Sequence, residues 1–195
     1  KPGQASSDLT HKFATTTTVS GGETIPGTDI RIQSIEEDGA HLVIGGQEAL
    51  KRKGDSVDWE GTPIPGVHLD LDQRVVSYTG DELRLAGTAK VEIENVDPRP
   101  VDISTSSSIK FSNPTVYSLA KGARIPGTTL VYEGETEEGA KLGSMEGYPY
   151  RKAGDSVFWE GSLRDGVYVR LNLRVVQYDE GSLRLAGLVT LWVGP

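Results

Sequence analysis

The feature that most constrains this chain is an internal repeat. When the sequence is shifted by 100 positions, 27 of the 69 residues from Ile25 to Ile93 are identical to their partners, without a gap. Ordinary composition would give roughly four to six identities by chance. The 195 residues therefore predict two copies of one small domain, each near the lower size limit for a domain with its own core.

The repeat and the composition between its copies predict four segments. Residues 1–10 are polar and small, which indicates a flexible N-terminal segment. Residues 11–96 form the first β domain, residues 97–108 are a linker that contains prolines, and residues 109–195 form the second β domain.

The apolar pattern of each copy is typical of strands joined by turns. Apolar residues alternate with polar ones over 167–175 and again over 183–193, which indicates an antiparallel hairpin. We expect a bulge at Val175-Val176 that brings Val176 and Tyr178 onto the inner face. The sequence therefore predicts an all-β protein made of two tandem repeats of a small antiparallel β-barrel or β-sandwich domain.

Six large side chains fall on the apolar phase of the strands or recur in both copies. We expect all of them to be buried: Trp59, Trp159, Leu71, Leu171, Leu85 and Leu185. Aromatic residues shared by duplicated halves belong more often to a core than to a binding site.

The hairpin also predicts which residues face each other on its outer side. In copy one, paired numbers should sum to about 160, because the side-chain period of a strand fixes the register. His68 then lies opposite Glu92, and Asp70 lies opposite Lys90. Such complementary polar pairs are suited to water.

The same positions of copy two are largely apolar. There the paired numbers sum to about 360, so that Tyr168 lies opposite Trp192 and Asn172 lies opposite Leu188. Apolar groups on the outer face of a sheet often mark a contact surface. We therefore expect the face with Tyr168, Leu188 and Trp192 to be covered by copy one, by a second chain or by another partner.

A second candidate binding element lies in copy two. The segment Gly147-Tyr148-Pro149-Tyr150 places two aromatic rings in a loop that proline constrains. Exposed rings of this kind stack on sugars or anchor a protein partner. The alternative, that Tyr148 and Tyr150 pack beneath their own loop, remains open.

No catalytic constellation is evident in the sequence. Gly-Asp-Ser occurs at 54–56 and 154–156, but a serine nucleophile needs a base, normally histidine. The three histidines, His11, His41 and His68, all lie in copy one. We interpret both Gly-Asp-Ser motifs as turns, in which aspartate bonds to its own backbone, and we predict no catalytic residue.

Neither a metal nor a cofactor is predicted. The acidic clusters at 36–39 and 133–138 lack the regular spacing of a calcium loop, and the chain has no cysteine. Both clusters are interpreted as solvated hairpin turns.

The charge and the composition narrow the classes of partner. The formal net charge is −8, which disfavours nucleic acid as a partner, and no apolar run approaches the roughly 20 residues of a membrane-spanning helix. Stretches rich in serine and threonine favour an exported, extracytoplasmic protein.

The leading functional prediction is a non-enzymatic interaction or assembly module. It would be a structural component of a cell envelope, a surface or a virion, and its partner would be another protein or a second copy of the chain. One alternative is a carbohydrate-binding module that uses Tyr148, Tyr150 and Trp192. Another is a hydrolase with dispersed carboxylates, since such residues need no motif.

Overall fold

A computed structural model describes residues 8–195, which form two compact units. Among the described residues, one unit is Thr10–Glu94, here termed copy one, and the other is Asn95–Pro195 together with Asp8 and Leu9, here termed copy two. Residues 1–7 of the predicted flexible segment lie outside the described residues, and the first strand already begins at Leu9.

The described chain is all-β with antiparallel strand pairing, as the sequence predicts. Copy one contains the strands β1 (Leu9–Ser20), β2 (Arg31–Glu36), β3 (Gly39–Ile44), β4 (Gln47–Lys51), β5 (Trp59–Ile64), β6 (Val67–Thr79) and β7 (Glu82–Ile93). They form a large sheet in the order β1-β7-β6-β5 and a small sheet in the order β2-β3-β4.

Copy two contains the strands β8 (Arg99–Pro100), β9 (Ile109–Ala120), β10 (Val131–Thr136), β11 (Gly139–Gly143), β12 (Tyr150–Arg151), β13 (Ser156–Arg164), β14 (Val167–Tyr178) and β15 (Ser182–Val193). Its sheets have the orders β8-β13-β14-β15-β9 and β10-β11-β12. The order is that of copy one with β8 added at one edge, and β8 arises from the segment predicted to be a linker. Residues 8–195 include no helix that is long and apolar enough to cross a membrane.

The long hairpin of each copy has the register predicted from the sequence. His68 pairs with Glu92 and Asp70 with Lys90 across β6 and β7, and Tyr168 pairs with Trp192 across β14 and β15. The alternating pattern fixes this register, because a slip by one residue would move the whole apolar set to the solvent face.

The bulge lies where the sequence places it, but its effect on the side chains differs from the prediction. The register shifts between Val75 and Ser77 and between Val175 and Gln177. Val175 stays buried, whereas Val176 is 46% exposed, so the prediction that Val176 continues the inner face is wrong. The bulge turns its extra residue outward, and the inner pattern resumes at the half-buried Tyr178.

The core of copy one draws on both of its sheets. The buried cluster includes Val19 from the large sheet and Ile32 and Leu42 from the small sheet. The predicted burial of Leu71, Leu171, Leu85, Leu185 and Trp159 is confirmed.

The two equivalent tryptophans differ in burial. Trp159 is only 6% exposed, and its indole nitrogen donates a hydrogen bond of 3.1 Å to the Thr129 hydroxyl. Trp59 is half-buried, which corrects the prediction: its indole nitrogen donates to the exposed Asp29 carboxylate at 2.7 Å, and no described strand lies along the outer edge of β5 as β8 lies beside Trp159 in copy two. The ring is thereby held at the margin of the core.

Replacement of Trp159 by alanine should lower the free energy of unfolding by about 3–5 kcal/mol, as truncation of large aromatic residues in cores does. Trp59→Ala is the matched control and should cost distinctly less, because Trp59 already contacts water. Denaturant unfolding of both variants measures the difference. Equal losses would mean that the difference in burial has no energetic effect.

Candidate functional site

The outer face of the large sheet in copy two is ordered into rows by the strand register. One row contains Phe158, Asn172, Leu188 and Pro114, and another contains Ser162, Tyr168, Trp192 and Lys110. Each row crosses β13, β14, β15 and β9 in turn. We define the outer face of copy two as these two rows, the row that lies between them, and Val116 next to them on β9. The predicted residues Tyr168, Leu188 and Trp192 all lie on it.

Large apolar side chains on this face contact solvent in the chain described. Leu188 is 47% exposed, Phe158 is 52% exposed and Val116 is 56% exposed. Leu188 and Val116 belong to the adjacent strands β15 and β9, where Val116 pairs with Ala186. The apolar surface is therefore shared among strands and is not a set of isolated residues.

Cations hold the ring of Trp192. Lys110 Nζ lies 5.4 Å and Arg170 Cζ lies 5.3 Å from the Trp192 ring centroid, which is the distance of a cation–π contact. Arg170 Nε in turn donates a hydrogen bond of 2.8 Å to Glu160. The half-buried tryptophan is thus fixed in position beside the exposed apolar residues.

The corresponding face of copy one carries charged residues. Lys90 Nζ forms an ion pair of 2.7 Å with Glu92, and His68 Nε2 lies 3.1 Å from Glu60 Oε1. The residue that corresponds to Leu188 is Thr88. A charged, solvated face in one copy and an apolar face in the other occupy the same position of the same fold.

A groove of about 710 Å³ lies along the β13 edge of copy two. Its walls come from three segments that are distant in sequence. They are the chain at β8 (Pro100, Val101 and Asp102), the loop after β11 (Ser144, Met145 and Glu146) and β13 itself (Ser156, Phe158, Trp159 and Glu160), with Leu130 and Arg151 completing the lining. Phe158 lies where the groove meets the outer face.

The loop that forms one wall replaces a regular hairpin. In copy one, β3 and β4 pair continuously from Ala40–Lys51 to Ile44–Gln47. In copy two, only Ala140–Arg151 and Lys141–Tyr150 pair between β11 and β12. Pro149 still accepts a backbone hydrogen bond of 2.9 Å from Leu142 but has no N–H to return one, and the residues between them open into the loop.

The arginine at the end of this loop is fully engaged with the backbone. Arg151 Nε donates to the Ser156 carbonyl at 2.8 Å, and Nη1 donates to the carbonyls of Tyr148 and Tyr150 at 2.6 and 2.9 Å. These bonds tie the loop to the start of β13 and direct the guanidinium at carbonyl groups.

The predicted tyrosine pair lies on this loop, apart from Trp192. Tyr148 is exposed, and its ring meets the half-buried Tyr150 edge to face with a centroid separation of 5.3 Å. Tyr148 therefore presents a free ring surface, while Tyr150 packs partly beneath the loop. The three residues of the predicted sugar-binding alternative, Tyr148, Tyr150 and Trp192, are divided between the small-sheet side and the large sheet.

A tyrosine found only in copy two fastens its small sheet to the long hairpin. The Tyr132 hydroxyl donates to the Asp179 carbonyl, and copy one has Ile32 at this position. Burial raises the pKa of Tyr132 to about 12, so this hydroxyl keeps its proton and remains a donor at physiological pH.

The two Gly-Asp-Ser motifs form turns. Asp55 accepts a hydrogen bond of 2.8 Å from the Arg52 backbone nitrogen, and Asp155 accepts one of 2.7 Å from Lys152. The aspartates thus bond to the backbone three residues earlier, which is the turn-forming role expected from the sequence.

Within residues 8–195, three potential metal ligands lie within 4.8 Å of one another: Glu36, Asp38 and His41. Asp38 already accepts a hydrogen bond of 3.0 Å from the His41 ring, and this bond raises the pKa of His41. The arrangement is an internally paired, surface-exposed turn.

Comparison of the chain with models of protein families, with curated proteins and with solved structures finds no match. The functional argument therefore depends on the geometry of copy two.

Sequence reasoning placed the outer face but missed the groove and Phe158. The only signal for Phe158 was its replacement of Asp58, an apolar residue at a position that is charged in copy one. The groove itself had no local signal, because its walls meet only in the folded chain.

One buried titratable group predicts a pH dependence of stability. His11 Nε2 is shielded from solvent without a hydrogen-bond partner, and burial lowers the pKa of His11 to about 4. In the unfolded chain this pKa is near 6.5. The unfolded state therefore binds the proton more tightly than the folded state does. The contribution of neutral His11 to the free energy of unfolding is fully present above pH 6.5 and should be lost as the pH drops from about 6.5 towards 4.

The control is His11→Phe, since Phe111 occupies the aligned position of copy two. Chemical denaturation across this pH range should show a shallower loss of stability for the variant than for the wild type. Parallel curves for the two proteins would contradict a neutral, buried His11.

Proposed function

We propose that the protein is a non-enzymatic interaction and assembly module that associates with other copies through the outer face of copy two. The observation that carries this proposal is the exposure of Leu188 and Val116 on a face whose counterpart in copy one is charged. Large apolar groups in contact with water destabilise a soluble surface unless a partner covers them. Copy one is a natural comparison within the same chain, since it has the same fold without these exposed apolar side chains.

The composition of the face supports a contact with a protein. Trp192, Tyr168 and Arg170 are of the residue types that contribute most to protein interfaces. The ring of Trp192 is already held by Lys110 and Arg170, so little conformational freedom remains to be lost on association. A structural component of an envelope, a surface or a virion would use such a face for assembly.

Glycan binding is the second candidate, and the exposed ring of Tyr148 is the observation that favours it. Sugar rings stack on aromatic faces of this kind. A glycan array probed with the full chain and with Tyr148→Ala tests this candidate. Binding that the substitution abolishes would support it.

The assembly proposal predicts that Leu188→Thr with Val116→Thr weakens self-association. Both substitutions install the residue that copy one has at the aligned position, Thr88 and Thr16, so the fold should tolerate them. Sedimentation velocity over a wide range of concentration should show an oligomer for the wild type and a monomer for the double variant, because the apolar area that association buries has been reduced.

The matched control is Val76→Thr, which removes an exposed valine of copy one and should leave the oligomer unchanged. A wild-type chain that stays monomeric at every concentration, or a double variant that assembles like the wild type, would contradict the proposal.

A further inference from the structure

The backbone edge of β13 is only partly occupied. β8 pairs with β13 at Pro100–Gly161 and Arg99–Ser162, and the Val101 backbone nitrogen donates to the Glu160 carbonyl at 3.4 Å. The strip beside β13 in which β8 lies is here termed the edge lane. After Val101 the chain leaves the edge lane, and no other segment of residues 8–195 pairs with β13 on this side.

The next position of the edge lane lies opposite Phe158. Backbone groups of alternate residues in a strand point to the same edge, so the N–H and C=O of Phe158 face the side on which Glu160 accepts its bond from Val101. The groove lies at this position. It is therefore the vacant continuation of a strand that the chain itself begins with β8.

The chain cannot readily fill this position with its own linker. The residues after Val101 run to Ser107, whose hydroxyl donates to the carbonyl of Val193 at the end of β15. β15 is separated from β13 by β14 in the sheet. The segment between Val101 and Ser107 thus leads away from the groove.

The side chains of the groove define what it would bind. Val101, Met145, Leu130 and Phe158 provide apolar surface, and the exposed carboxylates of Asp102 and Glu146 lie at its rim. Glu160 is paired with Arg170, whereas Arg151 donates to neutral backbone carbonyls and keeps its positive charge. The two carboxylates of Asp102 and Glu146 against the one guanidinium of Arg151 leave the lining negative.

We propose that the edge lane beside Phe158 binds an extended peptide segment of a partner protein, one that carries an apolar side chain next to lysine or arginine. The segment would continue the β8 lane through main-chain hydrogen bonds to Phe158, in the mode by which a strand adds to an open sheet edge. Its apolar side chain would enter the groove, and its cation would face Asp102 and Glu146. This inference rests on the proposed function of copy two as an interaction module but uses the groove, which shares only Phe158 and Glu160 with the outer face.

Copy one differs from copy two in three features of this site. Within residues 8–195 its large sheet shows no strand equivalent to β8, its β3–β4 hairpin is regular, and Asp58 stands where copy two has Phe158. Phe158→Asp is therefore a disruptive variant that the fold should accept.

The test is selection of short peptides from a random display library by the immobilised full chain. The proposal predicts enrichment of sequences with β-branched or aromatic residues beside lysine or arginine. A representative enriched peptide, titrated into isotope-labelled full chain, should shift the amide resonance of Phe158. Its affinity should fall roughly tenfold or more when the peptide nitrogen that faces β13 is methylated, since that methyl group removes a main-chain hydrogen bond.

Three variants locate the site. Phe158→Asp should abolish binding, Asp102→Asn with Glu146→Gln should weaken it, and Leu188→Thr with Val116→Thr should leave it unchanged. The last variant separates this inference from the proposed function, because it removes the outer face and spares the groove. No enrichment, enrichment of acidic peptides, or binding that survives both Phe158→Asp and methylation would overturn the inference.

Discussion

Each copy depends on one close approach of backbone to backbone in the middle of its long hairpin. A Cβ atom on Gly187 would lie 2.1 Å from the Asn172 carbonyl oxygen and 2.8 Å from the Leu173 Cα, and one on Gly87 would lie 2.0 Å from the Asp72 carbonyl oxygen. No side chain can be accommodated at those distances. The hairpin therefore needs glycine at this point, which explains why Gly87 recurs as Gly187.

This constraint acts on the inner face of the large sheet, and the residues of the outer face are free to change. The inner face must match the small sheet across a packed core, in which even small changes of volume are costly. The outer face has no such requirement, and in copy two it has exchanged charged residues for apolar ones. The open edge differs as well, in the loop closed by Pro149 and in Phe158, and among the described residues β8 is present only in copy two. These differences lie side by side in space, which is the pattern expected if one copy kept the scaffold and the other acquired contacts.

Much of the fold could be predicted from the sequence because strands obey local rules. The alternating apolar pattern fixes which residues face inward, and the turn then fixes the register, so that the pairing of Tyr168 with Trp192 followed directly. Trp59 could not be distinguished from Trp159 in this way. The difference between them accompanies β8, a strand distant in sequence from Trp159 that lies against its ring, while no described strand lies along the corresponding edge beside Trp59.

The outward turn of Val176 and the groove lay beyond sequence reasoning for related reasons. A bulge inserts one residue into a strand, and the apolar pattern does not indicate which side chain will then point to solvent. The groove is formed by segments near residues 101, 145 and 158, whose proximity depends on long-range strand order. No periodicity within any one of them encodes that proximity.

The central claim is that copy two carries the contact surface and copy one does not. Hydroxyl-radical footprinting of the full chain at low and high concentration tests it directly, since oxidation reports the solvent contact of individual side chains in both copies at once. The account predicts that Leu188, Val116 and Trp192 lose reactivity at high concentration while the exposed residues of copy one, such as Val76, keep theirs. Protection confined to copy one, or unchanged reactivity throughout, would contradict it.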